Sequence, residues 1–502
     1  MRSTKCQQEK RLIIIGAGVS GILSAIKLRE RGFNNVVIYE KGNSPGGTWR
    51  ENTYPGLTCD VPSHVYSFSF EPNPDWSRVF AAGSEIRDYI VHTAKKYNVY
   101  NSIHFNEEVT RCGYNGSGWN IETQNGTTDH GDFIIAATGV LHHPHCPTVE
   151  GMENFTGKMM HTARWDHDIP LDDQRVAVIG NGSTGVQLVS ALAPRAANVV
   201  HYQRTPQWVR PVENPFFTKE QKELFRADPA LLDEMRNDPQ FYEIVDRFSA
   251  AITDPESPEA QEIQQLVSQN LEHSISDPEL KKKLTPDHQA GCKRLVSSPD
   301  YYQKIQRPNV AIVTSGIDHV AETGILDNDG VFREFDLIAL ATGFKAHEFV
   351  RPMEVIGRKG TELNSVWQKR PVAYYAISIP DFPNFFMLNG PNAPVGNTSL
   401  IDVAETQWGF IQQLIDTVIV NGATEICATS AALQEFEEKR IAAAKTTIFA
   451  TGGCNSWYLD EEGVPATWPW TMQEFYEAMK HPKLNDFEII YNHDHTNALG
   501  QM

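Results

Sequence analysis

The sequence of 502 residues predicts an α/β protein that combines two parallel-sheet units with a helical insertion. Three observations support this prediction. A strand, a glycine-rich turn and a helix follow one another near the N-terminus, the same unit recurs from Gly180 onwards, and a polar segment with a helical pattern comes after the second unit. Hydrophobic residues make up 40% and charged residues 21% of the chain, which is the balance of a globular protein.

The first unit begins with four consecutive apolar residues, Leu12 to Ile15, which predict a strand buried on both faces. A Gly-x-Gly-x-x-Gly turn, a helix and a second strand follow. In a Rossmann-like fold the first glycine permits the tight turn, the second lets a pyrophosphate approach, and the third allows close helix–strand packing. The acid at the end of the second strand then binds the adenosine ribose. This unit is therefore predicted to bind a dinucleotide through Gly16, Gly18, Gly21 and Glu40.

The second unit repeats this order, but its returning strand, Val199 to Gln203, ends in Arg204-Thr205 instead of an acid. A cation and a hydroxyl suit the 2′-phosphate of NADPH better than the free ribose of NADH. With an acid in the first unit and a cation in the second, we predict FAD at the first and NADPH at the second. The predicted NADPH contacts are Gly180, Gly182, Ser183, Thr184, Gly185, Gln187, Arg204 and Thr205.

Each nucleotide unit is followed by an apolar strand that ends in Ala-Thr-Gly, first at Gly139 and again at Gly343. Such strands predict crossings between two domains, so that the NADPH domain is inserted into a discontinuous FAD domain. We predict the FAD domain at 1–140 and 345–502 and the NADPH domain at 141–211 and 291–344.

The remaining segment, 212–290, is polar, helical in pattern and interrupted by Asp-Pro pairs. Asp at the N-cap followed by Pro at the first helical position is a helix-start signal. We predict a helical insertion that forms a lid or a surface elaboration, with no chemical role required of it. The predicted helix starts are Asp228, Asp238, Asp254 and Asp277.

Charge and cysteine content narrow the class of protein. The 44 basic and 63 acidic side chains give a formal net charge of −19, which argues against a nucleic-acid or anionic-membrane partner. We expect no signal peptide and no membrane insertion. The seven cysteines are scattered and contain no Cys-x-x-Cys, which predicts reduced thiols in a reducing compartment. A cytoplasmic enzyme of open oligomeric state is the expectation.

The segment 155–166, FTGKMMHTARWD, lies between the two nucleotide units. It resembles the fingerprint F-x-G-x-x-x-H-x-x-x-W-[P/D] of the type I Baeyer–Villiger monooxygenases, a family of flavin-dependent class B monooxygenases. A second fingerprint of that family is similar to Gly46-Gly47-Thr48-Trp49, Tyr54-Pro55-Gly56 and Asp60. Cys292-Lys293-Arg294 resembles the Lys-Arg pair of the family, and 389–392 with Asn397-Thr398 resembles its later elements. These matches span roughly residues 12 to 400.

The resemblance implies that NADPH reduces FAD, that the reduced flavin captures O2 as a C4a-peroxide, and that the peroxide attacks a ketone to give an ester or lactone. Arg294 would then hold the peroxide anionic and stabilise the oxyanion, and Asp60 would orient Arg294. Lys293 would join Arg204 and Thr205 on the 2′-phosphate. The chain looks most similar to members in fungal secondary metabolism, and its aromatic content permits a bulky natural-product ketone.

The resemblance implies further site residues. The FAD contacts are Gly47, Thr48, Trp49 and Asp60, and His161 is an auxiliary residue that acts on domain movement, beside Trp165 as a packing residue. Trp457 is a candidate for the substrate entrance that matches no motif of the family and is not carried over from the resemblance. No metal is predicted, because Pro144 breaks the spacing of the adjacent histidines.

Three alternatives remain at this point. Flavin-containing and N-hydroxylating monooxygenases share the double glycine pattern and oxygenate nitrogen or sulfur. Asp166 after Trp165, together with Arg294, favours the Baeyer–Villiger branch. An NADPH–flavin reductase is disfavoured by the lack of Cys-x-x-Cys. A non-catalytic nucleotide-binding protein is disfavoured by intact Arg294, Asp60 and both glycine triplets, although a fold does not prove a function.

Overall fold

The computed structural model describes residues 9–396 and 398–491, so that Cys6 and Asn397 lie outside the described residues. The strands are β1 (Arg11–Ile15), β2 (Asn35–Glu40), β3 (Ile103–Phe105), β4 (Val109–Tyr114), β5 (Trp119–Thr123), β6 (Thr128–Gly131), β7 (Phe133–Ala136), β8 (Lys158–His161), β9 (Arg175–Ile179), β10 (Asn198–Tyr202), β11 (Val209–Pro211), β12 (Val296–Ser298), β13 (Val310–Val313), β14 (Ile317–Ala321), β15 (Gly324–Asp327), β16 (Phe332–Glu334), β17 (Leu337–Leu340), β18 (Glu354–Ile356), β19 (Phe385–Met387), β20 (Ala423–Ala428) and β21 (Phe487–Tyr491).

The helices are α1 (Val19–Glu30), α2 (Thr48–Glu51), α3 (Gly83–Lys96), α4 (Ser183–Leu192), α5 (Lys219–Ala227), α6 (Pro229–Arg236), α7 (Pro239–Thr253), α8 (Pro258–Ser274), α9 (Pro278–Leu284), α10 (Tyr301–Lys304), α11 (Leu363–Val366), α12 (Leu400–Asn421), α13 (Ser430–Ala444), α14 (Ile448–Thr451) and α15 (Met472–Met479).

Two five-stranded sheets form the framework, and all neighbouring strands within each are parallel. The first has the order β19-β7-β1-β2-β3 and the second β13-β10-β9-β17-β8. The apolar runs of β1 and β9 occupy inner positions, where helices cover both faces and continuous hydrophobic strands are expected. The predicted α/β fold with two Rossmann-like units is confirmed.

The chain leaves the first sheet after β7, builds the second sheet from β8 to β17, and returns to the first sheet at β19. Smaller sheets extend this framework. Strands β4, β5 and β6 form an antiparallel meander that β18 joins in parallel, and β14, β15 and β16 form another. Because β7 and β19 are neighbours, the two chain crossings lie close together.

Helices α5 to α9 build the predicted insertion. Asp228, Asp238 and Asp277 each accept a hydrogen bond from the backbone N–H two residues further on, and each is followed by Pro at the first helical position. The predicted helix start at Asp254 is wrong. Asp254 ends α7, and Ser257 caps α8 instead, since Pro258 occupies the first position of that helix.

The prediction that the cysteines are all reduced is also wrong. Cys292 and Cys454 form a disulfide with a Cα–Cα distance of 6.1 Å. Cys59, Cys112 and Cys427 are buried free thiols. The bridge joins positions 162 residues apart in the chain, so no spacing rule could reveal it. It connects the segment that precedes β12 with the loop that follows α14.

Helix α12 packs against α1 and β20 and buries one side in the largest hydrophobic cluster. Its last residue is followed by Gly422, which adopts φ +68° and ends the helix in the left-handed conformation that glycine favours. Within 9–396 and 398–491, no helix combines the length and the apolar character that a membrane crossing requires.

Candidate active site

A cavity of about 1550 Å³ opens at the carboxyl ends of the two parallel sheets. Its walls include the turns after β1 and β9 and the loops after β7 and β17. Open α/β sheets bind ligands at this edge. Pockets for one drug-sized ligand are typically about 300–1,000 Å³, so this cavity has room for more than one such molecule.

The first glycine turn is shaped to receive a pyrophosphate. Gly16 adopts φ +103°, and a side chain at Gly21 would place its Cβ 1.9 Å from the carbonyl oxygen of Gly16. Helix α1 therefore packs closely against β1. Its N-cap residue, Gly18, gives no side-chain cap, so the first backbone N–H groups of α1 remain available at the cavity. Such a helix start binds phosphate groups, which fits FAD.

Glu40 stabilises this turn from the end of β2. Its Oε2 accepts the backbone N–H of Ala17 at 2.7 Å, and its Oε1 accepts Gly42 N–H at 2.7 Å and Arg50 Nη1 at 2.6 Å. The carboxylate also lines the cavity, where the ribose contact is predicted. In the structure, Glu40 holds the backbone of the first glycine turn in place through these hydrogen bonds.

The second glycine turn repeats the geometry of the first. Gly180 adopts φ +105°, and a Cβ on Gly185 would lie 1.9 Å from the carbonyl oxygen of Gly180. Gly182 is the N-cap of α4 without a side-chain bond, and no atom lies within 4 Å of where its Cβ would be. Ser183 and Thr184 line the cavity beside it. This open helix start fits a second dinucleotide.

The side chain of Gln187 has a structural partner on each side of its amide, and its predicted contact with NADPH stays a prediction. Its Oε1 accepts the Tyr54 hydroxyl at 2.8 Å, and its Nε2 donates to the carbonyl oxygen of Thr58 at 3.0 Å. Although Gln187 borders the cavity, its amide is used to join α4 to the loop that follows α2. Gly56 lies in the same contact, where a Cβ would come within 2.7 Å of the Gln187 carbonyl oxygen. Gln187 therefore connects the two nucleotide units.

A cluster of basic and hydroxyl groups lies at the end of β10. The Lys293 ammonium donates to Thr205 Oγ1 at 2.8 Å, and Arg204 lines the same part of the cavity. Burial lowers the pKa of Lys293, and the charge of Arg204 lowers it further against the opposing effect of Asp287. No ion pair of Arg204 or Lys293 occurs within the described part of the chain. Two adjacent cations without a paired anion suit the 2′-phosphate of NADPH.

Replacement of Lys293 by alanine is expected to raise the KM for NADPH by about 10- to 100-fold, because a hydrogen bond to a charged group is lost. The KM for NADH should stay the same, since NADH has no 2′-phosphate. Steady-state kinetics with both nucleotides would measure this. Lys281→Ala, which removes a lysine paired with Glu272 on the insertion, is the matched control. An equal rise in KM for NADPH and NADH would contradict the proposed contact between Lys293 and the 2′-phosphate.

Arg294 and Asp60 form an ion pair at the cavity wall. Nη2 of Arg294 lies 2.7 Å from Asp60 Oδ2, and Nε lies 3.2 Å from the same oxygen. The side chains are 30% and 25% exposed, because both face the cavity. Asp60 follows β-bridge residue Thr58 in the loop after α2, and Arg294 precedes β12. The fold therefore brings together two residues far apart in the chain.

The pair is charged at neutral pH. Burial tends to raise the pKa of Asp60, but the charges of Arg294 and Arg210 outweigh burial and hold that pKa below its usual value. Burial tends to lower the pKa of Arg294, but Asp60 outweighs it and raises that pKa. Arg210 is itself held by Ser297, at 3.0 Å from Nη2 to Oγ. The cavity wall therefore carries a permanent, oriented cation.

The structure places His161 outside the cavity lining. Its Nδ1 accepts the backbone N–H of Ala163 at 3.1 Å, and its Nε2 lies 3.0 Å from the carbonyl oxygen of Gly343. Burial lowers the pKa of His161, so the ring is neutral and carries its proton on Nε2. His161 therefore holds the Ala-Thr-Gly turn after β17, and its predicted auxiliary role in domain movement stays a prediction. Trp165 is buried in the core of the second sheet.

Some of the remaining predicted residues lie beneath the glycine turns, and the others line the cavity. Gly21 and Gly185 lie beneath the turns and act through packing. Trp49 donates from Nε1 to the Tyr66 hydroxyl at 3.2 Å, and Trp457 is 38% exposed. The following predicted residues all line the cavity: Gly16, Gly18, Glu40, Gly47, Thr48, Trp49, Asp60, Gly180, Gly182, Ser183, Thr184, Gln187, Arg204, Thr205, Lys293 and Arg294. Trp457 lines the cavity as well.

Sequence reasoning missed three residues around Arg294. Arg210 supplies charge near Asp60, Tyr458 contacts the Arg294 guanidinium, and Cys454 is bonded to Cys292. Only Tyr458 had a signal in the sequence, since it follows Trp457, for which a position at the cavity was considered. None of the three belongs to a nucleotide motif, so their positions depend on how distant loops pack.

The fold and the site define a flavoprotein oxidoreductase that holds two dinucleotides at one cavity. A family model described as pyridine nucleotide-disulphide oxidoreductase matches residues 13–222. The chain is 44% identical to an uncharacterized monooxygenase of Mycobacterium tuberculosis, with 91% of each chain covered. It is 36% identical to a Baeyer–Villiger monooxygenase of Streptomyces coelicolor, with 96% of this chain and 92% of that one covered.

A solved structure of cyclohexanone monooxygenase from Rhodococcus sp. Phi1 bound to NADP+ matches with a TM-score of 0.85 and 29% identity, covering 96% of this chain and 99% of that chain. This chain belongs to the Baeyer–Villiger monooxygenase family. It is an FAD- and NADPH-dependent monooxygenase that uses O2 on a small molecule.

Proposed function

We propose that this enzyme oxygenates a bulky, apolar natural-product ketone and releases the corresponding ester or lactone. The observation that carries the proposal is the Arg294–Asp60 ion pair, which faces a cavity bordered by both glycine cradles. The proposal of an apolar substrate is supported by the side chains of Tyr66, Val395, Leu400 and Trp457, which line the same cavity. The similarity to FAD-binding monooxygenases of Aspergillus supports a place in secondary metabolism as part of this proposal.

Bound FAD, once reduced by NADPH, supplies the chemistry of oxygen transfer. The protein's own contribution is to bind, orient and stabilise charge. The guanidinium of Arg294 can donate hydrogen bonds to the carbonyl oxygen of the ketone, where negative charge develops as the carbonyl carbon is attacked. Asp60 accepts from Nε and Nη2 and so fixes the direction of the remaining N–H groups. Lys293, Arg204 and Thr205 hold the NADPH phosphate.

The test combines NADPH oxidation with product analysis. Purified holoenzyme is supplied with NADPH, 18O2 and a panel of monocyclic and polycyclic ketones, and the masses of the products are measured by mass spectrometry. We expect one 18O atom in an ester or lactone and NADPH use that depends on the ketone. The matching secondary alcohols, which lack the carbonyl, should give neither result.

Two outcomes would contradict the proposal. Oxygenation of thioethers or amines with no ketone product would place the enzyme with the heteroatom-oxygenating flavin monooxygenases. Rapid NADPH use that no ketone, thioether or amine accelerates would indicate an NADPH–flavin reductase. Both outcomes are read from the same assay.

We also propose that the enzyme works in the cytoplasm, where NADPH is supplied. The buried thiols of Cys59, Cys112 and Cys427 are consistent with a reducing environment. Fractionation of the native cells and detection of the protein with an antibody would locate it.

A further inference from the structure

Tyr458 is a buried residue that contacts the Arg294 guanidinium and has no part in either nucleotide motif. Its side chain is 2% exposed, and its hydroxyl lies beside the Arg294 guanidinium. Gly396 borders both groups: a Cβ there would lie 2.5 Å from the Tyr458 hydroxyl oxygen and 3.0 Å from Nη1 of Arg294. Since a guanidinium only donates, the phenol oxygen of Tyr458 is the atom that can accept an Nη1–H of Arg294.

The Tyr458 ring is held rigidly. Its centroid lies 4.4 Å from that of Phe449 and 4.3 Å from that of Trp457. Ile448 and Cys292 complete the buried cluster around it. The backbone carbonyl of Tyr458 accepts the N–H of Ala466 at 2.8 Å. The hydroxyl is therefore presented to Arg294 from a fixed ring.

The chain segments that carry Tyr458 and Arg294 are also joined covalently. Cys292 precedes Arg294 by two residues, and Cys454 precedes Tyr458 by four, in the loop between α14 and α15. The disulfide thus links the two segments next to the contact. Gly396, bearing φ +93°, leaves the space in which the hydroxyl and the guanidinium meet.

The number of N–H groups on Arg294 limits how many of them can bind a ligand. A guanidinium has five N–H groups. Asp60 takes the Nε–H and one Nη2–H, and the Tyr458 hydroxyl lies on the Nη1 side of the guanidinium. When Tyr458 accepts one Nη1–H, two N–H groups of the guanidinium are left for a ligand in the cavity. Without Tyr458, Asp60 alone would restrain the guanidinium.

We propose that Tyr458 is a positioning residue, which restrains the Arg294 guanidinium so that its remaining N–H groups face the cavity. This inference rests on the proposed function of Arg294. Tyr458 does not line the cavity and therefore acts through Arg294 and not on the ketone itself.

The test variant is Tyr458→Phe, which keeps the packed ring and removes the hydroxyl. We expect about a tenfold lower kcat for ketone oxygenation, as for loss of a hydrogen bond to a charged group, with little change in the KM for NADPH. A larger share of the electrons from NADPH should reduce O2 to hydrogen peroxide instead of oxygenating the ketone. Tyr89→Phe is the matched control, because Tyr89 is equally buried and makes two hydrogen bonds, to Phe68 N–H and the Glu71 carbonyl, distant from Arg294.

A second measurement does not depend on turnover. Butanedione modifies accessible guanidinium groups, and the rate at which the Arg294 peptide is labelled can be followed by mass spectrometry. We expect several-fold faster labelling of Arg294 in Tyr458→Phe than in wild type or Tyr89→Phe. If wild type oxygenates no ketone but the labelling rate rises, the proposed function fails and the positioning contact stands.

Two results would overturn the inference. One is wild-type kinetics and labelling in Tyr458→Phe, with a defect appearing only in Tyr458→Ala, since the ring would then act through packing alone. The other is a lower kcat in Tyr458→Phe without faster labelling of Arg294, since the hydroxyl would then act by some other route.

Discussion

Replacement of Arg294 by alanine is expected to lower ketone oxygenation by about 10³-fold, comparable to the loss of a principal oxyanion donor. The variant removes the cation that faces the cavity and leaves Asp60 beside Arg210 without its main partner. Reduction of the flavin by NADPH should continue at close to the wild-type rate, because Lys293, Arg204 and Thr205 are intact. Anaerobic stopped-flow reduction and product formation in air, measured on the same sample, would show the difference.

Two further variants separate charge from geometry. Arg294→Lys keeps a cation but lacks the planar fork that meets Asp60 and Tyr458, so we expect it to recover little of the activity. Arg195→Ala is the matched control, since Arg195 forms a 2.7 Å ion pair with Asp172 on the surface and does not line the cavity. Full ketone oxygenation by Arg294→Ala would refute the role of Arg294.

The parts of the site that could be predicted from sequence are those in which a contiguous run of residues fixes the geometry. Gly16 and Gly180 each open a turn between a strand and a helix, and the constraint on each is local to that turn. The choice between FAD and NADPH likewise depends on single positions, with an acid at Glu40 in the first unit and Arg204 and Thr205 after β10 in the second. For these residues the type of side chain and its distance along the chain are enough to predict the chemistry.

The parts that could not be predicted depend on which loops meet. Cys292 and Cys454 are brought together by the packing of the segment before β12 against α14, and the same packing brings Tyr458 to Arg294. His161 differs from these residues, because the motif gives its position in the chain but does not reveal which groups its ring contacts. Both ring nitrogens are used by backbone groups, which no sequence pattern reveals.

Replacement of Asp60 by asparagine tests how far orientation and charge depend on this one carboxylate. The amide can still accept a hydrogen bond from Arg294 Nη2, but it cannot neutralise the charges of Arg294 and Arg210. We expect ketone oxygenation to fall by about 10²-fold. We expect the free energy of unfolding at pH 7 to fall by about 2 kcal/mol, less than for a fully buried pair because the cavity admits solvent. Urea unfolding of the holoenzyme would measure this loss.

The loss of unfolding free energy in Asp60→Asn should depend on pH, and this dependence shows whether the ion pair causes it. The pKa of Asp60 in the folded protein lies below its usual value of about 4. The stability that its ionised form contributes is therefore fully present above about pH 4 and is lost as the pH falls through the folded-state pKa. The free energy of unfolding of wild type should exceed that of Asp60→Asn by a constant amount from neutral pH upwards, and this excess should shrink in acid. Asp172→Asn, at the exposed pair with Arg195, should show little difference at any pH. A deficit for Asp60→Asn that is the same in acid as at pH 7 would mean that packing, and not charge, makes Asp60 important.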